Sequence, residues 1–251
     1  MKIEFHYTYL ILALSFILTG YFPNLIIFTS IIIIHELGHF TMAKINHLEV
    51  NKIIIYPYGG ITKTTHPINI PISQELSIAL AGIVFQTIYF LLILFLYQNN
   101  LIRPYIYNLF KEYHLSILIF NILPIHPLDG SIILNLLLSK ILPYKITLKL
   151  NIIISIITII ILIKLNYYQF NYTTILIISI ITDNLIKYYK NINYLFNRFL
   201  LERYLHHFNY PKIKNINNIN HMYKEKNHII KAKATYLTEK QALYQRFKRK
   251  Y

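Results

Sequence analysis

Residues 25–43 read LIIFTSIIIIHELGHFTMA, and the class of the chain turns on them. The stretch is close to the roughly 20 apolar residues an α-helix needs to cross hydrocarbon, yet it carries His35, Glu36 and His39. Ionisable groups are costly at that depth and are normally kept there for function. A segment crossing a bilayer must be helical, because its backbone polar groups find no water to bond. On a helix, residues four apart share a face, so both imidazoles lie one turn apart and can grip one ion. Glu36 stands next to a ligand, placed to take a proton from a metal-activated water.

Composition agrees with a membrane setting. Of 251 residues, 55% are hydrophobic and only 14% charged, against about 25% charge in an ordinary soluble domain. There is no cysteine, so thiolate sites and disulfides are excluded and any transition metal must be held by His, Asp or Glu. The formal net charge of +15 has no recognition motif beside it and does not indicate nucleic acid. Basic loops and tails of membrane proteins report topology and attraction to anionic lipid instead.

Working outward, six spans are expected, at about 5–22, 25–43, 76–97, 115–138, 146–163 and 172–188. The first, with Lys2 before it, has no small-residue cleavage pattern and reads as an uncleaved anchor. With a cytosolic N-terminus, the inner loops hold Lys44, Lys52, Lys63, Lys140 and Lys145, and the outer ones only Arg103, Lys111 and Lys164. The basic tail also falls inside, so both termini are cytosolic and the positive-inside rule is met. The fold expected is an all-α polytopic membrane protein with a small membrane-associated β-hairpin and a basic cytosolic tail. Residues 1–190 form the membrane domain, 191–210 an interfacial helix and 211–251 the tail.

The hairpin is read from LEVNKIIIYPYGGITKT at 48–64, β-branched residues around a turn at 57–60; an ordinary cytosolic loop is the alternative. In 191–208, Leu195, Phe196, Phe199, Leu200 and Tyr204 recur at helical spacing, the pattern of a helix lying on a membrane surface. Residues 222–251 are either a small helical module or loose.

A catalytic zinc site needs a third protein ligand and an open position. The segment NILPIHPLDG at 121–130 offers Asp129, the only carboxylate of its apolar stretch. Pro124 and Pro127 remove backbone donors, so the helix is expected to break there. Counted from outer boundaries near Leu25 and Leu115, His35, His39 and Asp129 fall at similar depth, toward the cytosolic side. Asn121, two turns before Asp129, could donate to a developing oxyanion or make an ordinary interhelical hydrogen bond. Gln86 and Asp183 read as structural, and His126 lacks a paired ligand spacing.

With these residues in place, the sequence resembles the site-2 protease family of intramembrane zinc metalloproteases. HELGH is similar to that family's zinc motif, and 121–130 to its second motif, whose Asp is the third ligand. The resemblance implies one Zn2+ held by His35, His39 and Asp129, with Glu36 as catalytic acid/base and Asn121 and Pro127 near the active site. Within the family the chain is most similar to the stage IV sporulation protein FB branch, through the 57–60 turn and FLLERY at 199–204. The branch implies a membrane-tethered protein substrate, a pro-sigma factor, with an inhibitory membrane partner and a tail like a shortened CBS module. Ile83 stands where relatives often carry Pro, and Ser131 where they often carry a second Gly. The rival class is a membrane metal transporter or metal sensor. It would need polar groups reaching both membrane faces, whereas 25–34 is almost wholly apolar.

Overall fold

The computed structural model describes residues 2–56, 59–64, 67–165, 172–206, 208–232 and 235–248. Pro57 and Tyr58, half of the expected turn, lie outside them. The chain divides into two compact units, Met1–His66 with Leu76–Ile122, and Pro67–Glu75 with Leu123–Tyr251.

The first unit is built on α2 (Phe22–Ile45), which starts at Pro23 in the first turn, where proline's missing donor costs nothing. It is preceded by β1 (Lys2–Phe5) and α1 (Tyr7–Leu18). After it come β2 (Val50–Tyr56) and β3 (Gly59–Thr64), then α3 (Ile72–Gln98) and α4 (Pro104–Ile122). The expected hairpin is present, but a third strand joins it. β1 pairs with β2 in parallel, Ile3 opposite Ile53, while β2 and β3 run antiparallel, Ile54 opposite Ile61. The expected first span therefore gives up its start to a strand and keeps a helix of 12 residues. Ile53 and Ile55 are buried with Tyr9 and Ile32, which seats the sheet on α1 and α2. Ile27, Ile31 and Phe110, with Tyr89 and Phe90 against them, lock α2 to α3 and α4.

The second unit begins with the expected break: 123–128 separates α4 from α5 (Asp129–Ile141). α6 (Tyr144–Leu165) and α7 (Tyr172–Leu205) follow. α7 runs unbroken through the amphipathic stretch, and residues of the tail pack on its apolar stripe. Phe196, Phe199 and Leu200 are fully buried in a core with Ile216, Met222 and Leu243 of the tail. The tail is neither loose nor simply helical. It forms β4 (Ile213–Ile216), β5 (Asn227–Ala232), β6 (Thr235–Thr238) and α8 (Glu239–Lys248), with β4 and β5 parallel and β5 and β6 antiparallel. The fold is thus mostly helical with two small sheets, rather than all-α.

FLLERY clamps the second unit. The Glu202 carboxylate accepts from the backbone N–H of Ile68 (2.7 Å) and Asn69 (3.1 Å). Arg203 donates to Asn69, to the carbonyls of Lys224 and Lys226, and to Glu239.

Among the described residues, α2, α3 and α6 are long and apolar enough to cross a membrane. On α6, Ile153, Ile156, Ile157, Ile160 and Ile161 are all exposed. Such a contiguous apolar surface would be a liability in water and is an ordinary lipid-facing one in a bilayer.

Candidate metal centre and active site

His35, Glu36 and His39 lie together on α2 and are 3%, 3% and 7% exposed. One candidate ligand atom from each comes within 4.8 Å of the others. The two Nε2 atoms face each other at 3.1 Å. Each ring is held from behind by α3: His35 Nδ1–H donates to Gln86 Oε1 (3.0 Å) and His39 Nδ1–H to the Ile78 carbonyl (2.8 Å). These acceptors put the proton on Nδ1 of both rings, an assignment read from the partners, and leave two Nε2 lone pairs pointed at one another.

A cation placed between the nitrogens would be held by both. Two Zn–N bonds of about 2.0–2.1 Å at a tetrahedral angle separate their nitrogens by about 3.3 Å, close to the spacing found. The donor set fits zinc, and the carbonyl and amide behind the rings are the outer partners that metal-bound histidines ordinarily need.

Three glycines make room. A Cβ on Gly38 would strike the Ala81 carbonyl, so Gly38 lets α2 and α3 approach backbone to backbone. On Gly82 of α3 it would fall against the Nε2 atoms of both histidines, 2.7 Å from that of His35. On Gly60 of β3 it would meet the Glu36 carboxylate, 2.7 Å from Oε1. The imidazoles therefore sit over Gly82, and the carboxylate lies under the backbone of β3.

The remaining expected residues are placed as follows. Asn121 is buried near the end of α4, in the first unit. Asp129 is the first residue of α5, directly after the break and in the second unit. His126 stacks on Tyr188, ring centroids 3.9 Å apart, and is no part of the histidine cluster. Gln86, read from sequence as structural, holds a candidate ligand. It is fully buried, and its Nε2 donates in turn to the His114 carbonyl (3.0 Å). Its signal was available: it is the lone carboxamide in the apolar run 76–97. Gly60, Gly82 and the Ile78 carbonyl carried no such signal. Ile83, in place of proline, leaves α3 continuous across the site.

Comparison with known proteins gives concordant matches. The model of peptidase family M50 matches residues 23–115. Stage IV sporulation protein FB of Bacillus subtilis is 31% identical over 206 residues, 81% of this chain and 72% of that protein. A zinc metalloprotease of Methanocaldococcus jannaschii is 30% identical over 152 residues, 56% of this chain and 43% of that one. The solved site-2 protease from M. jannaschii superposes with a TM-score of 0.59 at 25% identity, covering 74% of this chain and 89% of that structure. A multi-pass helical chain whose buried His-Glu-His cluster is braced for zinc, and which matches these proteins along most of its length, belongs to the M50 site-2 protease family of intramembrane zinc metalloproteases.

Proposed function

We propose that the chain hydrolyses a peptide bond in or beside a transmembrane segment of a membrane-tethered protein, using a single zinc ion held by His35, His39 and Asp129. The observation that carries this reading is the pair of back-braced imidazoles with Glu36 beside them. Asp129 is the acidic residue at the head of α5, in a segment whose sequence resembles the family's second motif. Zinc bound there would supply Lewis acidity, lowering the pKa of water to about 7 and polarising the scissile carbonyl. Glu36 takes the proton from the attacking water and delivers it to the leaving amine. Asn121 donates to the carbonyl oxygen as negative charge gathers there. The substrate must be unwound first, because a helix hides its carbonyls in its own hydrogen bonds. β3 is an outer strand of its sheet and carries Gly60 beside Glu36, so an extended substrate can add to it by strand pairing.

Six membrane crossings with both termini cytosolic are supported by the positive-inside count and by the apolar character of α2, α3 and α6. From the branch resemblance, the substrate class is a membrane-tethered regulatory precursor of the pro-sigma type, with an inhibitory membrane partner. The test compares Glu36→Gln with the parent for zinc content and for cleavage of a membrane-tethered reporter. Retained zinc with cleavage reduced 100-fold or more is expected; equal cleavage by both would end the mechanism.

A further inference from the structure

The first turn of α6 is seated on the tail. Tyr144 is buried against Phe199, and its N–H donates to the Met222 carbonyl (2.9 Å). Beside this junction lies an open cavity of about 340 Å³. Pro143 and Ile146 form its wall on the α6 side; Lys214, Asn215, Asn217 and His221 line it from β4 and the loop after it. No carboxylate lines the cavity.

The cations around it lack counter-ions. Lys214 donates to the Tyr223 hydroxyl (2.6 Å) and stands 4.1 Å from the centroid of that ring, with Lys226 at 4.2 Å from the same centroid. Lys145, next to Ile146, donates to Asn220 Oδ1 (3.2 Å) and has Lys149 and Arg246 as like-charged neighbours. Among the described residues, none of these five cations forms an ion pair. Gathered charges of one sign repel, and an anion set among them is attracted by each.

The apolar side of the cavity says which anion. Ile146 is its lip, and Leu150, Ile153, Ile157 and Ile160 continue along the same face of α6 at helical spacing. Ile146, Ile153, Ile157 and Ile160 are all exposed. Fourteen residues of helix make this stripe about 21 Å long, more than half of the roughly 30 Å of hydrocarbon in a bilayer. It is long enough for one acyl chain of one leaflet. A nucleotide suits the cavity less well, because Tyr223 already has two ammonium groups against its ring and offers no free face to a base.

We propose that this cavity binds the headgroup of an acidic phospholipid, its phosphate held by Lys214, Lys145 and the side-chain amides of Asn215 and Asn217, and one acyl chain laid along the stripe from Ile146 to Ile160. The lipid is then a joint between the tail and a membrane span, and the seating of β4 on α6 answers to the acidity of the leaflet. This site requires neither zinc nor cleavage.

The chain has no tryptophan, so a single introduced indole reports neighbouring lipid without tryptophan background. Ile153→Trp places it on the stripe, and Ile88→Trp places it on the exposed face of α3. The full chain is reconstituted in phosphatidylcholine vesicles, and quenching by brominated phosphatidylglycerol is compared with quenching by brominated phosphatidylcholine. A basic group at an anionic surface is worth about fivefold in binding, so two should give phosphatidylglycerol a preference of about 20-fold at Ile153→Trp, against about twofold at Ile88→Trp. Adding Lys214→Gln should remove about fivefold of that preference, and Lys145→Gln with Lys214→Gln nearly all of it. Lys190→Gln with Lys240→Gln, an equal loss of charge outside the cavity lining, should leave it intact. Millimolar inorganic phosphate or ATP should not alter the quenching. Equal preference at the two reporters would overturn the proposal, as would an equal loss from the Lys190 and Lys240 pair. Displacement by phosphate or by ATP would overturn it too, assigning the cavity to a free anion or a nucleotide.

Discussion

Three glycines separate the fold, the metal and the chemistry, and single methyl groups can test each in turn. A Cβ at Gly60 would stand 2.5 Å from Glu36 Cδ and 2.7 Å from Oε1. The nearest atom is Glu36 Cγ, closer still, and ordinary carbon contacts begin near 3.5 Å, so the side chain must retreat by about 1 Å or more. Misplacement of a catalytic group by about 1 Å costs on the order of 100-fold in rate. Gly60 has no positive φ, so alanine imposes no backbone strain and the perturbation is steric. Gly60→Ala should keep zinc, measured by metal analysis after purification, and lose about 100-fold in turnover of a membrane-tethered reporter. Gly82→Ala pushes instead on the ligand atoms, 2.6 Å from His39 Cε1 and 2.7 Å from His35 Nε2. Metal sites tolerate distance errors of only about 0.2 Å, so zinc affinity should fall 10-fold or more. The helix itself should be unharmed, since glycine to alanine inside a helix favours it by roughly 1 kcal/mol. Gly38→Ala meets the Ala81 backbone carbonyl, which has no rotamer to escape to, and should lower thermal stability. If Gly60→Ala cleaves at the parental rate, Glu36 does not work from the position beneath β3. If it loses zinc as Gly82→Ala does, the division of labour is wrong.

Gln86→Leu keeps the volume of the side chain but removes the acceptor for His35 Nδ1–H; zinc affinity should drop 10- to 100-fold, read by competition with a chelator, and Gln86→Glu should restore much of it. Gly59→Pro fixes φ near −65° where Gly59 sits at +147°; it should slow cleavage while zinc content holds, and unchanged cleavage would remove strand addition from the mechanism. In the tail, His228 Nδ1–H donates to Glu239 (2.9 Å) while its Nε2 accepts from the Tyr223 N–H (2.9 Å). Burial holds this imidazole below its ordinary value. Burial alone would raise Glu239, but the His228 hydrogen bond and the Arg203 charge outweigh it and hold the carboxyl low. Both groups bind protons more readily when unfolded, so tail stability is full above about pH 6.5 and is lost as pH falls, first through His228 and then through Glu239. Each extra proton taken up on unfolding contributes at most about 1.4 kcal/mol per pH unit. His228→Gln should flatten the upper part of that dependence in thermal melts at pH 5–7, and an unchanged slope would refute the assignment.

What could be read in the sequence was whatever physics makes local. Periodicity and hydrocarbon length exposed α2. The spacing of His35 and His39 gave two ligand candidates, the prolines at 124 and 127 gave the break, and the isoleucines at 53–55 gave β2. What stayed hidden depended on distant partners. Lys2–Phe5 reads as the start of an apolar helix, and only its pairing with β2 makes it a strand. The stripe at Phe196, Phe199 and Leu200 is the same whether lipid or protein covers it, and here the tail does. The tail strands are four to six residues long, too short to show alternation. Gln86 is one carboxamide in an apolar run, and sequence cannot say which of its neighbours needs it.

That last omission points to what HELGH lacks on its own. In water a histidine can set its tautomer against solvent, but in a bilayer the proton on the far nitrogen must be placed by protein. α2 cannot do this, because its own backbone groups are committed within the helix. α3 provides one side-chain amide and one carbonyl, and reaches them only because Gly38 and Gly82 remove the two side chains that would hold the helices apart. The motif and its glycine partners are therefore one device: small residues bring the helices close, closeness places the acceptors, and the acceptors turn two nitrogens toward one point. Replacing Gly38 disturbs the centre through the helix spacing alone, and replacing Gly82 pushes on the imidazole nitrogens themselves, so a search for this site should weigh 78–86 as heavily as 35–39.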